Sequence, residues 1–176
     1  MTKENTKYDN VLRRLGATFI DLLVFIPLIL IDNYVCSSYE NKFAILTWLF
    51  VMSFITTFYT IYLHYKYGQT FGKMAMGIKV VDLNENNKIS FRQAVIRSSI
   101  YIIIDILGLI YFLILTLSLD ETTVTMTESY DYFQQMAAGI LVLIEFIVIL
   151  TNKKRMAIHD YIAKTVVVKI NLHEKT

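Results

Sequence analysis

The chain has 176 residues, 55% of them hydrophobic and 14% aromatic, too apolar to leave a soluble domain of this size a polar surface. Its formal net charge of +2 is too small to imply nucleic acid, and its single cysteine excludes an internal disulfide. A membrane-embedded chain is left.

The N-terminal arm carries Lys3 and Lys7, with Arg13 and Arg14 at the mouth of the first apolar run, about residues 15–33. Asp21 and Pro27 interrupt that run. Pro27 predicts a kink and frees the carbonyl of Leu23, four residues before it. No cleavable signal is expected, because no small-residue site follows before Tyr34 and Cys36. A second run, about 43–65, holds no acid and no lysine.

In the loop 66–93, Thr70 is placed to cap a short helical turn, Phe71 to Met76, that lies in the membrane interface and is broken by Gly77. Lys73 on that turn is expected to bond lipid phosphate. Ile78 to Leu83 reads as a strand, Asn84 to Asn87 as a turn and Lys88 to Phe91 as its returning partner. The third apolar run, about 94–119, carries Arg97 and Asp105, and the fourth, about 133–151, carries Glu145. The stretch Asp120 to Gln134 between them has four acids and no base. The tail, 152–176, opens on Lys153-Lys154-Arg155, a basic run suited to anionic headgroups. It also offers a strand, Thr165 to Asn171, that would strengthen the marginal hairpin. Each run is close to the roughly 20 residues that cross a hydrocarbon core of about 30 Å. The expected fold is an all-α membrane protein of four transmembrane helices with a small cytoplasmic β element, one domain over 1–176.

Charge orients the spans. Sixteen of the seventeen Lys and Arg residues lie outside the apolar runs, and fifteen of those sixteen fall in the arm, the 66–93 loop and the tail. Only Lys42 stands in the other two segments. Basic short loops stay cytoplasmic, so both termini are expected in the cytoplasm of a multi-pass protein of the cell membrane.

Three blocks carry a resemblance. Arg13-Arg14-Leu15-Gly16-Ala17-Thr18-Phe19-Ile20-Asp21 looks like the opening motif of the RDD family of membrane proteins. Gly68-Gln69-Thr70-Phe71-Gly72-Lys73, Gly77 to Asp82 and Ser90 through Ala94 to Arg97 are similar to the family's central block, and His159-Asp160-Tyr161 through Val167 resembles its closing one. Lys164 stands where a glycine is more usual. The resemblance implies a bacterial inner-membrane protein and little chemistry: transport of an unidentified ligand has been suggested, and cation/proton exchange for some members.

The charges inside the spans are the candidate functional residues. A charged side chain near a span centre costs at least about 2.5–3.5 kcal/mol on insertion scales, so it faces the bundle and has a partner. At about 1.5 Å per residue, Asp21 and Glu145 lie roughly 8–9 Å deep, Arg97 roughly 5 Å and Asp105 roughly 16 Å. Asp21, Arg97 and Glu145 are therefore expected to share one polar site. Arg14 is about 10.5 Å along the axis from Asp21, too far for a direct bond. Asp21 then looks to Arg97 or to a cap residue, and Arg14 to Asp160 if the tail folds back.

The candidate cluster is Arg14, Asp21, Arg97, Asp105, Glu145 and Asp160, with Lys73 at the lipid interface. Asp21, Asp105 and Glu145 outnumber Arg97, so at least one acid is expected to be protonated. Such a group suits proton-coupled exchange, and equally a quiet hydrogen-bonded core. No cofactor and no metal is expected, since His159-Asp160 has no further ligand pair around it. No enzymatic activity is expected either, since Ser98, Ser99 and Thr18 lack a base at useful spacing. Two classes stay open: a transporter of ions or small solutes, with a monovalent cation or proton as cargo, and a non-transporting scaffold. Membrane lipids, a second copy of the chain or another membrane protein are the expected partners.

Overall fold

The computed structural model describes residues 7–85, 87–118 and 122–170. Expectations that touch Lys3, Asn86, Leu119 to Glu121, Asn171 or Lys175 lie outside them. Four long helices carry the fold: α1 (Val11–Ser38), α2 (Lys42–Tyr67), α4 (Phe91–Ser118) and α5 (Thr123–Thr151). The short α3 (Phe71–Ala75) and strand β1 (Ile78–Asp82) lie between α2 and α4, and α6 (Ile158–Ala163) and strand β2 (Thr165–Lys169) follow α5. Each long helix is long and apolar enough to cross a membrane. Large apolar side chains such as Phe19, Phe54 and Leu143 are over 60% exposed, as spans that face lipid require.

Local chemistry sets the boundaries. Asn41 caps α2 by accepting from the N–H groups of Phe43 and Ala44, and Gly68 at φ 70° ends it. Thr70 caps α3 and Gly77, at φ 62°, follows it. Ser90 and Gln93 exchange backbone-to-side-chain hydrogen bonds at the start of α4, a reciprocal cap. Pro27 lies within α1, which runs on through it.

The helix α4 packs on both α2 and α5, while α1 contacts α5, α2 and α3. Two buried clusters fill the bundle. Ile45, Leu49, Phe112, Met126 and Tyr130 occupy the end remote from the strands. Ala17, Ile78, Val80, Ile89, Ala94 and Val167 join the helices to the strands. The strands pair antiparallel with Val80 opposite Val167. A two-stranded sheet is marginal alone; here Asn10 of the arm donates to the Val167 carbonyl at 2.6 Å, and Met156, Val166 and Val168 form a third cluster. We call this the sheet end.

Two expected boundaries are corrected. Lys88 to Phe91 is not a returning strand: β1 pairs with β2, and Phe91 already begins α4. The fourth span starts at Thr123, about ten residues before the expected 133. Thr122 caps it, and Met126 and Tyr130 are buried against Phe112. The polar composition of that stretch hides a helix whose buried face alternates Thr123 and Thr127 with Met126 and Tyr130.

Candidate functional site

At the sheet end, Arg14 in the first turns of α1 and Arg97 near the start of α4 converge on Asp160 of α6. Arg14 Nη1 donates to Asp160 Oδ2 at 2.9 Å. Arg97 Nη1 donates to Asp160 Oδ1 and, at 3.0 Å, to Thr165 Oγ1. The carboxylate, fully buried, also accepts the Ala157 N–H at 3.0 Å. Arg14 Nε donates to Asn10 Oδ1 at 2.9 Å, which extends the lock to β2 through the Asn10–Val167 bond. Burial alone would raise the Asp160 pKa, but the guanidiniums of Arg97 and Arg14 hold it well below the usual carboxylate range.

Arg97 also fixes a tautomer. Its Nη2 donates to His159 Nε2 at 2.9 Å, and arginine cannot accept a hydrogen bond. The imidazole proton therefore sits on Nδ1, which donates to Glu145 Oε1 at 2.5 Å. Burial, then the charge of Arg97, lowers the His159 pKa and favours this neutral ring. Tyr101 donates to the other Glu145 oxygen at 3.2 Å. In formal charge, two arginines meet two carboxylates through one neutral histidine, and the knot balances.

Asp21 stands apart from that knot. Tyr59 donates to its Oδ1 at 3.0 Å, the Gly72 N–H to the same oxygen at 2.8 Å and Thr70 to Oδ2 at 2.6 Å. The N-terminus of α3 is thus pressed onto α1. Gly72 is required there: a Cβ would stand 2.0 Å from the Ala17 carbonyl oxygen. Asp105, deeper in α4, accepts from Ser53 at 2.9 Å. Of the three groups expected to share one site, Asp21 and Arg97 line one cavity, Glu145 reaches Arg97 through His159, and Asp21 takes the cap residue Thr70 as partner.

Lys73 is also corrected. It turns inward rather than to the headgroups. His64 Nδ1 donates to the Thr60 carbonyl at 2.7 Å, which leaves Nε2 as an acceptor for Lys73 Nζ at 2.7 Å. Burial, and next the charge of Arg97, hold the Lys73 pKa well below that of a free lysine. In the tail run expected at the headgroups, Lys154 instead lies 3.7 Å from Glu85, and Arg155 donates to the Leu150 carbonyl.

A cavity of about 380 Å³ opens between these groups. Asp21, Lys73, His64, Arg97, Asp105 and His159 line it, with threonine and tyrosine hydroxyls between them. It is large enough for a small solute. Among the described residues no group of His, Cys, Asp and Glu is placed to hold a metal. Tyr59, Thr70, Gly72, His64, Tyr101 and Thr165 were missed as site residues, and His159 was weighed only as a metal ligand. A signal existed for two of them: Thr70 as helix cap and Gly72 two residues on, in a helix too short to need glycine for its own sake.

Compared with known proteins, residues 8–164 match the model of a family described as the RDD family. No curated protein and no solved structure matches the chain.

Proposed function

Because this chain belongs to the RDD family and is a multi-pass membrane protein by its four long apolar helices, we propose that it takes part in moving small ions or solutes across the membrane, with its polar cavity as the binding site. The cavity is the observation that carries this reading. A space of about 380 Å³ lined by Asp21, Lys73, Arg97 and Asp105 among lipid-facing helices is costly to keep and is by default functional. The titratable groups on its wall are suited to exchange of a proton or a monovalent cation. The protein works without catalysis, in a bacterial inner membrane, with both termini cytoplasmic. Four spans are few for a complete transporter, so the working unit is an oligomer. Full-length protein in liposomes with a trapped pH dye tests this. A sodium or potassium gradient should drive a pH change that Asp21→Asn and Lys73→Met reduce; a wild-type trace identical to empty liposomes overturns it.

A second reading, a non-transporting scaffold, is favoured by the knot at Asp160. Both arginines there are engaged in holding the tail to α1 and α4, which a purely architectural role would explain. Membrane lipids and a second membrane protein would then be its partners.

A further inference from the structure

Several hydrogen-bonding groups line the wall of the cavity. Lys73 Nζ, on His64 Nε2, lies within 4 Å of no carboxylate among the described residues. Arg97, His159 and Ser98 line the same space. Ser98 is 4% exposed, and its hydroxyl is buried with no hydrogen-bond partner among the described residues. A buried hydroxyl without a partner is uncommon and costly. The carboxylates lining the cavity already have partners: Asp21 accepts from three donors, and Asp105 accepts from Ser53.

We propose that this wall is a binding site for a small oxyanion, a carboxylate or phosphate group, held by Lys73 and Ser98, and that Lys73 takes up one proton as the anion enters. This rests on reading the cavity as a solute site. The balance is simple: Lys73 enters as an amine, gains one proton from solution to become an ammonium, and the anion arrives with its charge unchanged, so the site gains no net charge with a singly charged anion and one negative charge with a doubly charged one. No covalent bond forms or breaks except that N–H. The titratable and charged groups around Lys73 act in both directions, and burial favours an amine at rest. These groups are His64 from α2, Arg14 and Asp21 from α1, Arg97 from α4, and His159 and Asp160 from α6. Burial, and then the charges of Arg97 and Arg14, oppose a further cation at Lys73, while the carboxylates of Asp160 and Asp21 favour one. An oxyanion reverses that balance, and a charge-assisted bond to ammonium is about twice as strong as a neutral one. The oxygens could come from a free solute or from a lipid headgroup; the chemistry is shared.

The test is calorimetric titration of the full-length protein with sodium acetate and with inorganic phosphate, in buffers of different ionisation enthalpy, against sodium chloride. At least one oxyanion should bind with uptake of one proton. Lys73→Met should weaken binding roughly tenfold or more and abolish the uptake, Ser98→Ala should weaken it severalfold, and Lys73→Arg should bind without proton uptake. Should Lys73→Met fail to fold, Ser98→Ala and the wild-type uptake decide. Nanodiscs of phosphatidylcholine with and without phosphatidylglycerol separate the sources: loss of acetate binding only with phosphatidylglycerol makes the headgroup the occupant. Absence of oxyanion binding in every arm, or binding without proton uptake that ignores both Lys73→Met and Ser98→Ala, overturns the proposal. Oxyanion binding without flux in liposomes would overturn the transport reading alone; a sodium-driven pH change without oxyanion binding would overturn this inference alone.

Discussion

Thr70 Oγ1 donates to Asp21 Oδ2 at 2.6 Å across 49 positions of the chain. The same hydroxyl oxygen accepts the Lys73 N–H and caps α3. One side chain therefore starts a helix and docks it, and Asp21 receives the freed N–H of Gly72 in the same place.

Removing that hydroxyl at nearly constant shape, Thr70→Val, should cost about 1–3 kcal/mol, since it deletes a cap and leaves a half-buried carboxylate short of a donor. Gly72→Ala should cost at least as much, because its Cβ meets backbone that cannot swing aside. Gly16→Ala is the control: its Cβ meets only the mobile end of Met76, and its loss should be smaller. Melting of the three variants in detergent checks the order, and an equal loss at Gly16 would show that the close approach at Gly72 is not what matters.

Asp160 balances the buried Arg97 and the partly buried Arg14, so Asp160→Ala should lose about 3–5 kcal/mol by leaving both without their carboxylate. Arg97→Ala combined with Asp160→Ala should cost less than the sum of the single changes, with a coupling of about 1–3 kcal/mol. Arg97→Ala combined with Asp21→Ala should be additive, because those two do not touch. Denaturant titration of the two cycles measures both, and coupling confined to the Asp21 pair would contradict the knot.

Lys164 ends α6 at φ 53°, ψ 52°, a left-handed conformation that a side chain disfavours. Its backbone is held there by Leu83 N–H and Gln93 Nε2 donating to its carbonyl. Lys164→Gly should therefore stabilise the fold by about 0.5–1 kcal/mol. A melting temperature that falls would mean that the lysine side chain makes a contact worth more than the strain.

Lys73 has a folded-state pKa well below its ordinary value, first through burial and then through Arg97. Between the folded and unfolded values the unfolded chain binds the extra proton, so stability rises with pH through that window, by at most about 1.4 kcal/mol per unit. From neutrality to about pH 9 the wild type should gain stability relative to Lys73→Met. The Asp160 knot should not respond there: a depressed carboxylate loses its contribution only as pH falls below the unfolded value, near about 4, towards the folded one. Parallel melts across that range settle the sign.

Cys36 lies in the last turns of α1, half-buried and near Asp32. The fifteen-to-one segregation of bases predicts an external Cys36, so an impermeant maleimide should label it in intact cells. Labelling that requires lysis, in a protein whose Cys36 reacts freely once solubilised, would invert the topology.

Four spans, the cap at Thr70, the break at Gly77 and the strand, expected over Ile78 to Leu83 and found over Ile78–Asp82, were legible because each rests on local pattern: apolar length, a capping hydroxyl, a glycine, a β-branched run. The approach of Asp160 to Arg14 was legible too, since Arg14 could not reach Asp21 and stood at the mouth of its span. Helix rotation was not legible. These spans are apolar nearly all round, so no stripe tells which face turns inward, and a depth counted along the axis places Asp21, Arg97 and Glu145 level without saying that they meet. Packing of α3 against α1 decided that Asp21 binds Tyr59, Thr70 and Gly72, 38 to 51 positions away. The fold-back of the tail decided that His159 stands between Arg97 and Glu145, and the turn of α3 toward α2 sent Lys73 into the cavity rather than to the lipid.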